Sequence, residues 1–478
     1  MATKKQLTMI KKIFILLVTV GMLSVSCKKE ETGDNPVEDD LQYSLKITNP
    51  IENYSIANGS KVSLSVQPDS QMSVGSYDFH FYIDNQEVNL TPISEFDIDL
   101  FTGNYAYQWQ VTGLSLGDHQ IKAEYHEGNT VVARDEITVK IVAPKWEEVN
   151  LISVIASSTY VINDIFLLND QVGWLSGYSG NGRFLLKTTD KGASWQPVNY
   201  NLDIEKITFY NETIGVAIAG VGKVYKTFDG GASFSLVTDP VTGASLFNSA
   251  MDVSFSQTAG EYQVTAKDIN NLKKVFRVRL NDDTILQYTD VVPDSSMLLY
   301  EMKFDGANGL IYGMEEPATD LQYIQLSTDN GQSWQGVPIP APSDWLGGNN
   351  SFQIEGGDIS GNKIWLTGGD NTDYLSAFSA VSSDGGQSWQ IKRVTDKLSF
   401  YTQSFLDVAM TSDKNAYAVN YDNTYFPAMY YSDDDGENWM PLYEVSPSAH
   451  YHIDKIAFKS NDFGIAAGEN IVYRFKNN

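Results

Sequence analysis

The segment Thr188-Thr189-Asp190-Lys191-Gly192-Ala193-Ser194-Trp195 belongs to a set of five related copies in this sequence. Each copy has a hydroxyl or turn residue, then Asp, Gly, Ser or Asn, and an aromatic residue. The other copies occupy residues 227–234, 327–334, 382–389 and 432–439. Repetition of this kind indicates one supersecondary unit that is used again along the chain.

Each copy has the chemistry of a tight β-hairpin. Gly192 supplies a backbone that tolerates positive φ. The carboxylate of Asp190 and the nearby hydroxyls accept turn N–H groups, and Trp195 covers the turn with an apolar face. We therefore interpret the repeated Asp and Trp side chains as structural and not catalytic. They are Asp190, Asp229, Asp329, Asp384, Asp434, Trp195, Trp334, Trp389 and Trp439.

The five segments resemble the Asp-box (BNR) motif of sialidases, sortilins and photosystem-assembly propellers. This resemblance implies an all-β fold in which residues 145–478 form a β-propeller. The box aspartates are separated by 39, 100, 55 and 50 residues, and the longest gap holds a degenerate box within residues 276–286. The spacing predicts seven blades. Six blades with an insertion at 250–292 is the alternative.

The two ends of the repeat region are expected to share one blade. The last strand, residues 472–477, parallels residues 224–229 and stops where another box would turn. Trp146-Glu147-Glu148-Val149 repeats the Trp-x-x-Val that follows the boxes at Trp195 and Trp334. We therefore predict that residues 145–151 close the last blade, which hides its sheet edge.

Residues 41–143 read as short alternating strands separated by turn residues at the spacing of a β-sandwich. The run Leu114-Ser115-Leu116-Gly117-Asp118-His119 resembles the strand-connecting turn of bacterial Ig-like domains. The region is predicted to be an N-terminal Ig-like β-sandwich that ends at Ala143-Pro144.

Residues 1–27 have the pattern of a lipoprotein signal peptide. Four lysines precede an apolar run, residues 13–23, that is too short to span a bilayer comfortably. Leu23-Ser24-Val25-Ser26-Cys27 resembles a relaxed, Bacteroidetes-type lipobox, with the leucine one residue farther from the cysteine than usual. We predict lipidation of Cys27. The alternative is a free cysteine at the end of an ordinary signal peptide.

Residues 28–40 form a charged tether with almost nothing to bury. Its acidic residues resemble the signal that exports such lipoproteins to the outer face of the outer membrane, and a plain flexible stalk explains them equally well. The predicted location is the bacterial outer membrane, lipid-anchored, with exposure at the cell surface left open.

The charge of the chain excludes several partners. Without the four signal-peptide lysines, 29 basic and 60 acidic side chains remain, a net charge of about −31. Such a surface repels nucleic acid and anionic lipid, so the expected membrane contact is the lipid anchor alone. Cys27 is the only cysteine, which rules out intramolecular disulfides. We expect a monomer.

The resemblance to sialidases does not extend to their active site. Sialidases need three converging arginines, a Tyr–Glu pair and an acid Asp. Their Arg-Ile-Pro-type motif is absent here. His450 and His452, with Glu444 nearby, lack the further ligands that a metal needs and are interpreted as a polar loop. The sequence thus predicts no enzyme, no metal and no cofactor.

A ligand site is expected on the face formed by the blade-connecting loops and the second-to-third-strand loops. Aromatic side chains beside carboxylates suit a glycan or a peptide. For Trp345, packing onto its own loop is the alternative. The candidate ligand-binding residues are Trp345, Tyr374, Tyr421, Tyr451, Arg183 and Arg393.

Three functions compete at this stage. The favoured one is a non-catalytic envelope lipoprotein that binds a glycan or a protein. The others are a propeller-type glycoside hydrolase with divergent motifs and a structural or assembly factor of the cell envelope.

Overall fold

The computed structural model describes residues 41–72, 79–92, 104–199, 201–256, 258–268, 270, 272–290, 298–314, 322–340, 352–370, 377–394, 404–411, 415–420, 429–442 and 453–476. The predicted signal peptide, with Cys27, and the predicted tether lie outside these residues. All elements belong to the unit formed by residues 43–478. The all-β prediction is confirmed, with one short helix, α1 (Ile152–Ile155), in the described part of the chain. No described helix is long and apolar enough to cross a membrane.

The N-terminal region contains nine strands. They are β1 (Leu45–Asn49), β2 (Tyr54–Ala57), β3 (Lys61–Pro68), β4 (Phe79–Ile83), β5 (Gln86–Val88), β6 (Thr91–Pro92), β7 (Tyr105–Gln110), β8 (Gly117–Glu127) and β9 (Thr130–Val142). One sheet has the order β1-β3-β7-β6 and the other β2-β9-β8-β4-β5. Alternate residues of both sheets, such as Leu64, Ile121 and Val139, share one hydrophobic core. The short strands β2, β5 and β6 were not predicted from the sequence, because segments of two to four residues show no clear alternation of polar and apolar side chains.

The remaining strands form seven four-stranded antiparallel sheets. Sheet 1 consists of β11 (Tyr160–Leu167), β12 (Gly173–Ser179), β13 (Gly182–Thr188) and β14 (Gln196–Asn199). Sheet 2 consists of β15 (Ile204–Phe209), β16 (Gly215–Ala219), β17 (Lys223–Thr227) and β18 (Ser235–Leu236). Sheet 3 consists of β19 (Ala250–Ser254), β20 (Glu261–Lys267), β21 (Lys273–Arg279) and β22 (Ile285–Asp290). Sheets 4 and 5 consist of β23 (Leu298–Asp305), β24 (Asn308–Met314), β25 (Gln322–Ser327), β26 (Gln335–Ile339); and β27 (Phe352–Ser360), β28 (Lys363–Asp370), β29 (Ala377–Ser382), β30 (Gln390–Arg393). Sheet 6 consists of β31 (Phe405–Met410), β32 (Ala416–Asn420), β33 (Met429–Ser432) and β34 (Met440–Pro441). Sheet 7 consists of β10 (Trp146–Glu148), β35 (Ile453–Ser460), β36 (Phe463–Gly468) and β37 (Val472–Phe475).

The seven sheets close into a ring through their first strands. Each first strand lies beside the first strand of the next sheet, and β35 lies beside β11. The second strands are almost entirely buried, as in Gly215–Ala219 and Ala416–Asn420, because neighbouring sheets cover both of their faces.

Strand β10 supplies the outer strand of sheet 7. Trp146, Glu147 and Glu148 pair antiparallel with Phe475, Arg474 and Tyr473. This pairing is the one that the Trp-x-x-Val repeat predicts. The Trp146 ring is buried and packs edge-on against Tyr417, Phe458 and Phe475 at centroid distances of 5.6, 5.6 and 5.3 Å.

The five repeated segments close third-to-fourth-strand turns with one hydrogen-bond pattern. In the first, the Thr188 hydroxyl accepts from Gly192 N at 2.9 Å and donates to Asp190 Oδ1 at 2.8 Å. Ser194 N and Ser194 Oγ donate to the same carboxylate at 2.9 and 2.6 Å. The corresponding bonds recur at Asp229, Asp329, Asp384 and Asp434. Each of these carboxylates therefore accepts hydrogen bonds from residues of its own turn.

The aromatic residues of the turns differ in burial. Trp195 and Trp439 are buried, whereas Trp334 and Trp389 are half-buried. Sheet 3 lacks the pattern altogether. There, Asp282 Oδ1 accepts from Thr284 N at 3.1 Å, and Asp283 forms an ion pair with Lys226 at 2.5 Å.

Candidate functional site

The first strands of the sheets carry charged side chains into the centre of the ring. Every first strand has a β-bulge in its first half. In six sheets the residue after the bulge is charged, and two more charged residues stand two positions after the same point. We call these eight the charged ring. They are Asp164, Lys206, Asp252, Glu301, Lys303, Asp358, Asp407 and Lys455.

Sheet 5 has Gly356 after its bulge. A Cβ on Gly356 would lie 2.6 Å from Cα of Asp407, so the neighbouring backbone excludes a side chain there. The inward charge of this sheet is carried by Asp358 instead.

Carboxylates of the charged ring join neighbouring sheets. Asp164 Oδ2 accepts from Ile207 N of the next first strand at 2.7 Å. Asp407 Oδ2 accepts likewise from Ile456 N at 3.0 Å. Equivalent bonds run from Met410 N to Asp358 at 2.7 Å and from Met302 N to Asp252. Each first strand is the edge of its sheet, so some of its backbone N–H groups have no ladder partner, and these carboxylates satisfy them.

Glu301 is the hub of the ring. Lys206 Nζ donates to Glu301 Oε1 at 2.7 Å, and Nζ atoms of Lys303 and Lys455 lie 3.6 Å from the carboxylate. The buried Tyr312 hydroxyl donates to Glu301 Oε2 at 2.7 Å. Burial alone would raise the pKa of Glu301, but the three lysines outweigh it and hold that pKa well below its usual range.

The pKa values of the ring aspartates are shifted in the opposite direction, upwards. Burial raises the pKa of Asp252 to about 7 and that of Asp407 to about 6, although Lys206 and Lys303, respectively, oppose the shift. Burial likewise raises the pKa of Asp164 and the pKa of Asp358. The ring therefore holds carboxylates that are costly to ionise in the folded protein.

We expect the ring to become less stable as the pH rises from about 4 to about 8. A carboxyl whose folded pKa is raised binds its proton more tightly in the folded state, so stability declines as pH rises towards the folded pKa. Asp252→Asn removes the main group, so the free energy of unfolding of the variant should fall between pH 5 and pH 8 by roughly 2–4 kcal/mol less than that of the parent. Urea denaturation at pH 5 and pH 8 measures this, with the exposed Asp170→Asn as the control. A parent protein that is more stable at pH 8 contradicts the expectation.

A cavity of about 530 Å³ lies between the charged ring and the first-to-second-strand turns, on the side of the repeated hairpins. Its wall combines small residues, such as Thr208 and Ser254, with aromatic residues, such as Phe209 and Phe304. No group of three His, Cys, Asp or Glu side chains suited to a metal ion occurs in the described ranges. The cavity is thus a polar cup with a floor of mixed charge.

A second pocket, of about 430 Å³, lies on the opposite side of the ring. We call it the loop-face pocket. It is lined by Asn163, Tyr178, Ser179, Gly182, Arg183, Asp203 and Glu205. Arg183 Nε donates to Asp203 Oδ2 at 2.8 Å, and Tyr178 is 48% exposed. The pocket joins the β12–β13 turn to the loop that enters β15.

The structure describes two of the six predicted ligand-binding residues, and one of these two lines the loop-face pocket. Arg183 lines the loop-face pocket, whereas Arg393 ends β30 and does not line it. Trp345, Tyr374, Tyr421 and Tyr451 lie outside the described residues, and so do His450, His452 and Glu444.

Sequence reasoning missed the charged ring. Its signal was a charged residue directly before the hydrophobic opening of each unit, as in Asp164-Ile165, Lys206-Ile207 and Asp252-Val253. Alternation along one strand does not reveal that these residues meet, because they converge only when the sheets close into a ring.

Comparisons with known proteins bear on this architecture. No family model matches the chain. The photosystem II assembly lipoprotein Ycf48 of Synechococcus sp. (strain CC9902) is 25% identical over 236 residues, which cover 48% of this chain and 60% of that protein. The matched region thus spans about 60% of the relative's length. A solved structure, YCF48 bound to D1 peptide, has a TM-score of 0.50 and 17% identity, covering 70% of this chain and 96% of that one.

The repeat region is a β-propeller. Within the propeller, the charged ring lies around the central channel and the loop-face pocket lies near one mouth of that channel. YCF48 from Cyanidioschyzon merolae matches with a TM-score of 0.49 and 17% identity, covering 70% of this chain and 99% of that one. The described propeller thus offers two concave sites, at opposite ends of its channel.

Proposed function

We propose that this protein is a non-catalytic lipoprotein of the cell envelope whose propeller binds a polypeptide partner through the loop-face pocket. The observation that carries the proposal is the pocket itself, with exposed Tyr178 beside the Arg183–Asp203 ion pair. An exposed aromatic ring and charged groups on a rigid scaffold suit peptide recognition. The curated relative is an assembly lipoprotein, and a propeller of similar fold has been solved with a bound peptide.

The proposal includes the domain organisation of the chain. Seven blades, closed by residues 145–151, follow an Ig-like sandwich, and Cys27 carries the lipid that anchors a monomer in the outer membrane. The seven described four-stranded sheets and the β10–β37 pairing support the blade count. The common core of the two N-terminal sheets supports a sandwich. The Asp-box assignment rests on the five identical turn patterns.

A non-catalytic role agrees with how the carboxylates are used. The box aspartates accept bonds from their own turns, and hydrogen bonds of Ser233 hold the pKa of Asp229 at about 2, which suits neither a general acid nor a base at neutral pH. We expect the protein to leave sialosides and other glycosides uncut. Measurable glycoside turnover that one acidic substitution abolishes would favour the hydrolase instead.

Binding is tested with two matched pairs of variants. Arg183→Glu and Tyr178→Ala alter the loop-face pocket, while Arg279→Glu and Tyr288→Ala alter a similar exposed ion pair and an exposed tyrosine on sheet 3. The full chain captures a partner from envelope extracts of its own bacterium, and the affinity for that purified partner is then measured. We expect the pocket variants to weaken binding about tenfold or more and the controls to leave it unchanged.

The same variants distinguish a polypeptide partner from the alternative ligand, a glycan. Tyr178 beside Asp203 and Glu205 also suits a sugar ring, since aromatic faces stack on sugars and carboxylates accept from hydroxyls. Binding to a glycan array that requires Tyr178, without any polypeptide partner, would replace the proposal by glycan recognition. Equal loss in pocket and control variants would reject the pocket.

A further inference from the structure

The second-to-third-strand turns of sheets 1, 2 and 3 each present an exposed apolar side chain. Tyr178 lies near the end of β12, Val221 lies between β16 and β17 and is 85% exposed, and Leu272 lies between β20 and β21 and is 43% exposed. The three sheets are consecutive in the ring. We call these three residues the hairpin-tip row. The row begins at the loop-face pocket, because Tyr178 lines that pocket.

Exposed aromatic residues on the opposite side of the propeller already contact neighbouring side chains. Tyr210 packs against Phe255 at a centroid distance of 5.7 Å, and Lys226 Nζ lies 6.0 Å from the centre of the Phe228 ring. The side chains of the hairpin-tip row make no ring contact, cation contact or hydrogen bond within the described part of the chain. The row is thus an apolar surface that its own chain leaves uncovered.

Val221 has a backbone conformation that disfavours its side chain. Its φ is 66°, between Gly220 at 54° and Gly222 at 72°. At such φ values Cβ crowds the following carbonyl oxygen, so the conformation is especially unusual for a β-branched residue. Of the ten described non-glycine residues with positive φ, seven are Asn or Asp, and Val221 alone is β-branched. A strained residue of this kind indicates a function for its side chain.

Packing within the fold does not require valine at this turn. The hydrophobic clusters of sheet 2 do not include Val221. Close packing of the turn occurs at Gly222, where a Cβ would lie 2.8 Å from Ala250 N. Asn at position 221 would suit the positive φ better and would leave the packing of Gly222 unchanged. An interaction outside this chain therefore explains the exposed valine.

We propose that the partner of the loop-face pocket continues across the hairpin-tip row as an extended segment with alternating apolar side chains, and that Val221 determines its specificity. The inference rests on the function proposed for the pocket. A segment that crosses three sheets must reach far, and an extended chain covers about 3.3 Å per residue, against about 1.5 Å for a helix. Alternate side chains of such a segment lie on one face, so they can contact the row together.

The charge of the protein restricts the composition of this segment. The formal net charge is −27, and Asp203 and Glu205 line the adjoining pocket with one arginine, Arg183. Such a surface repels acidic peptides and also a second copy of the same chain. The segment is therefore expected to be apolar, extended and without net negative charge.

Val221→Asn separates binding from folding. Because Asn tolerates positive φ, the melting temperature of this variant should rise by about 2 °C, whereas the loss of a structural contact would lower it. The control is Val241→Asn, since Val241 is 91% exposed and is not among the residues with positive φ. Its melting temperature should stay within about 1 °C of the parent's. Thermal unfolding followed by tryptophan fluorescence measures both variants.

The binding test uses a library of random peptides displayed on phage and selected on the full chain. We expect the enriched peptides to carry apolar residues at alternate positions and no net negative charge. A synthetic peptide of the enriched sequence should bind about tenfold more weakly to Val221→Asn and to Leu272→Ser than to the parent. Leu116→Ala, which removes an exposed apolar side chain of the sandwich, should leave the affinity unchanged.

Arg183→Glu distinguishes a failure of this inference from a failure of the function proposed for the pocket. We expect it to weaken the same peptide. If Arg183→Glu weakens binding and Val221→Asn does not, the inference fails and the pocket function stands. If neither variant weakens binding, both fail. Enriched peptides without alternating apolar residues, or a lower melting temperature of Val221→Asn, would also overturn the inference.

Discussion

The triple variant W146G/E147S/E148G is expected to lower the free energy of unfolding of the propeller by roughly 4–7 kcal/mol. Three contributions add. The buried Trp146 ring leaves its contacts with Tyr417, Phe458 and Phe475, the outer ladder of sheet 7 is weakened, and the Glu147–Arg474 ion pair at 2.5 Å disappears. Most of the loss comes from the tryptophan, because removal of a large buried ring leaves a cavity.

The matched control is Y288G/T289S/D290G in β22, an outer strand that closes no ring. Tyr288 is 59% exposed, so the control should cost about 1–2 kcal/mol through strand propensity and the ion pair between exposed Asp290 and Lys274. Urea denaturation followed by tryptophan fluorescence measures both variants. Equal losses would show that β10 is a peripheral strand and not the closure of the propeller.

The second large effect is expected for Lys206→Met. Among the described lysines, Lys206 alone lies within hydrogen-bond distance of Glu301, and its charge also favours ionisation of Asp164 and Asp252. Methionine keeps the length of the side chain but leaves five carboxylates with two ammonium groups. We expect a loss of roughly 3–5 kcal/mol at pH 8, typical of a broken buried ion pair.

This loss should shrink at pH 5, because the aspartates can then take up protons in place of the missing cation. Lys187→Met is the control, since Lys187 pairs at 2.9 Å with the exposed Glu212. An exposed pair contributes about 0–1 kcal/mol. A Lys206→Met effect that is equally small, or independent of pH, would mean that the charged ring does not hold the blades together.

The repeated turns were predictable from sequence because their bonds are local. Asp190 contacts residues two to four positions away, so the pattern appears directly in the chain. The pairing of Trp146 with Phe475 was also predictable, although it spans more than 300 residues, because the same Trp-x-x-Val follows the repeated turns. In both cases repetition carried the information.

The charged ring and the loop-face pocket were harder to predict because their residues converge only in three dimensions. Lys206 and Glu301 meet across the channel, 95 residues apart, and no spacing rule relates them. Arg183 was identified as a candidate from its position on the loop face, but its partner Asp203 and its neighbour Glu205 were not. From sequence alone, a charged side chain within a strand indicates a solvent-exposed position. Only the closed ring shows that these charged side chains meet at its centre.

The most direct measurement of the proposed function is site-specific photo-crosslinking in the native bacterium. A photoreactive phenylalanine replaces Tyr178 in the loop-face pocket or, as the control, exposed Tyr288 on the outer strand of sheet 3. We expect position 178 to form one discrete adduct whose mass spectrum identifies an envelope polypeptide, and Arg183→Glu to remove that adduct. Adducts of equal yield from both positions, or none from position 178 while the protein is present and folded, would contradict the account.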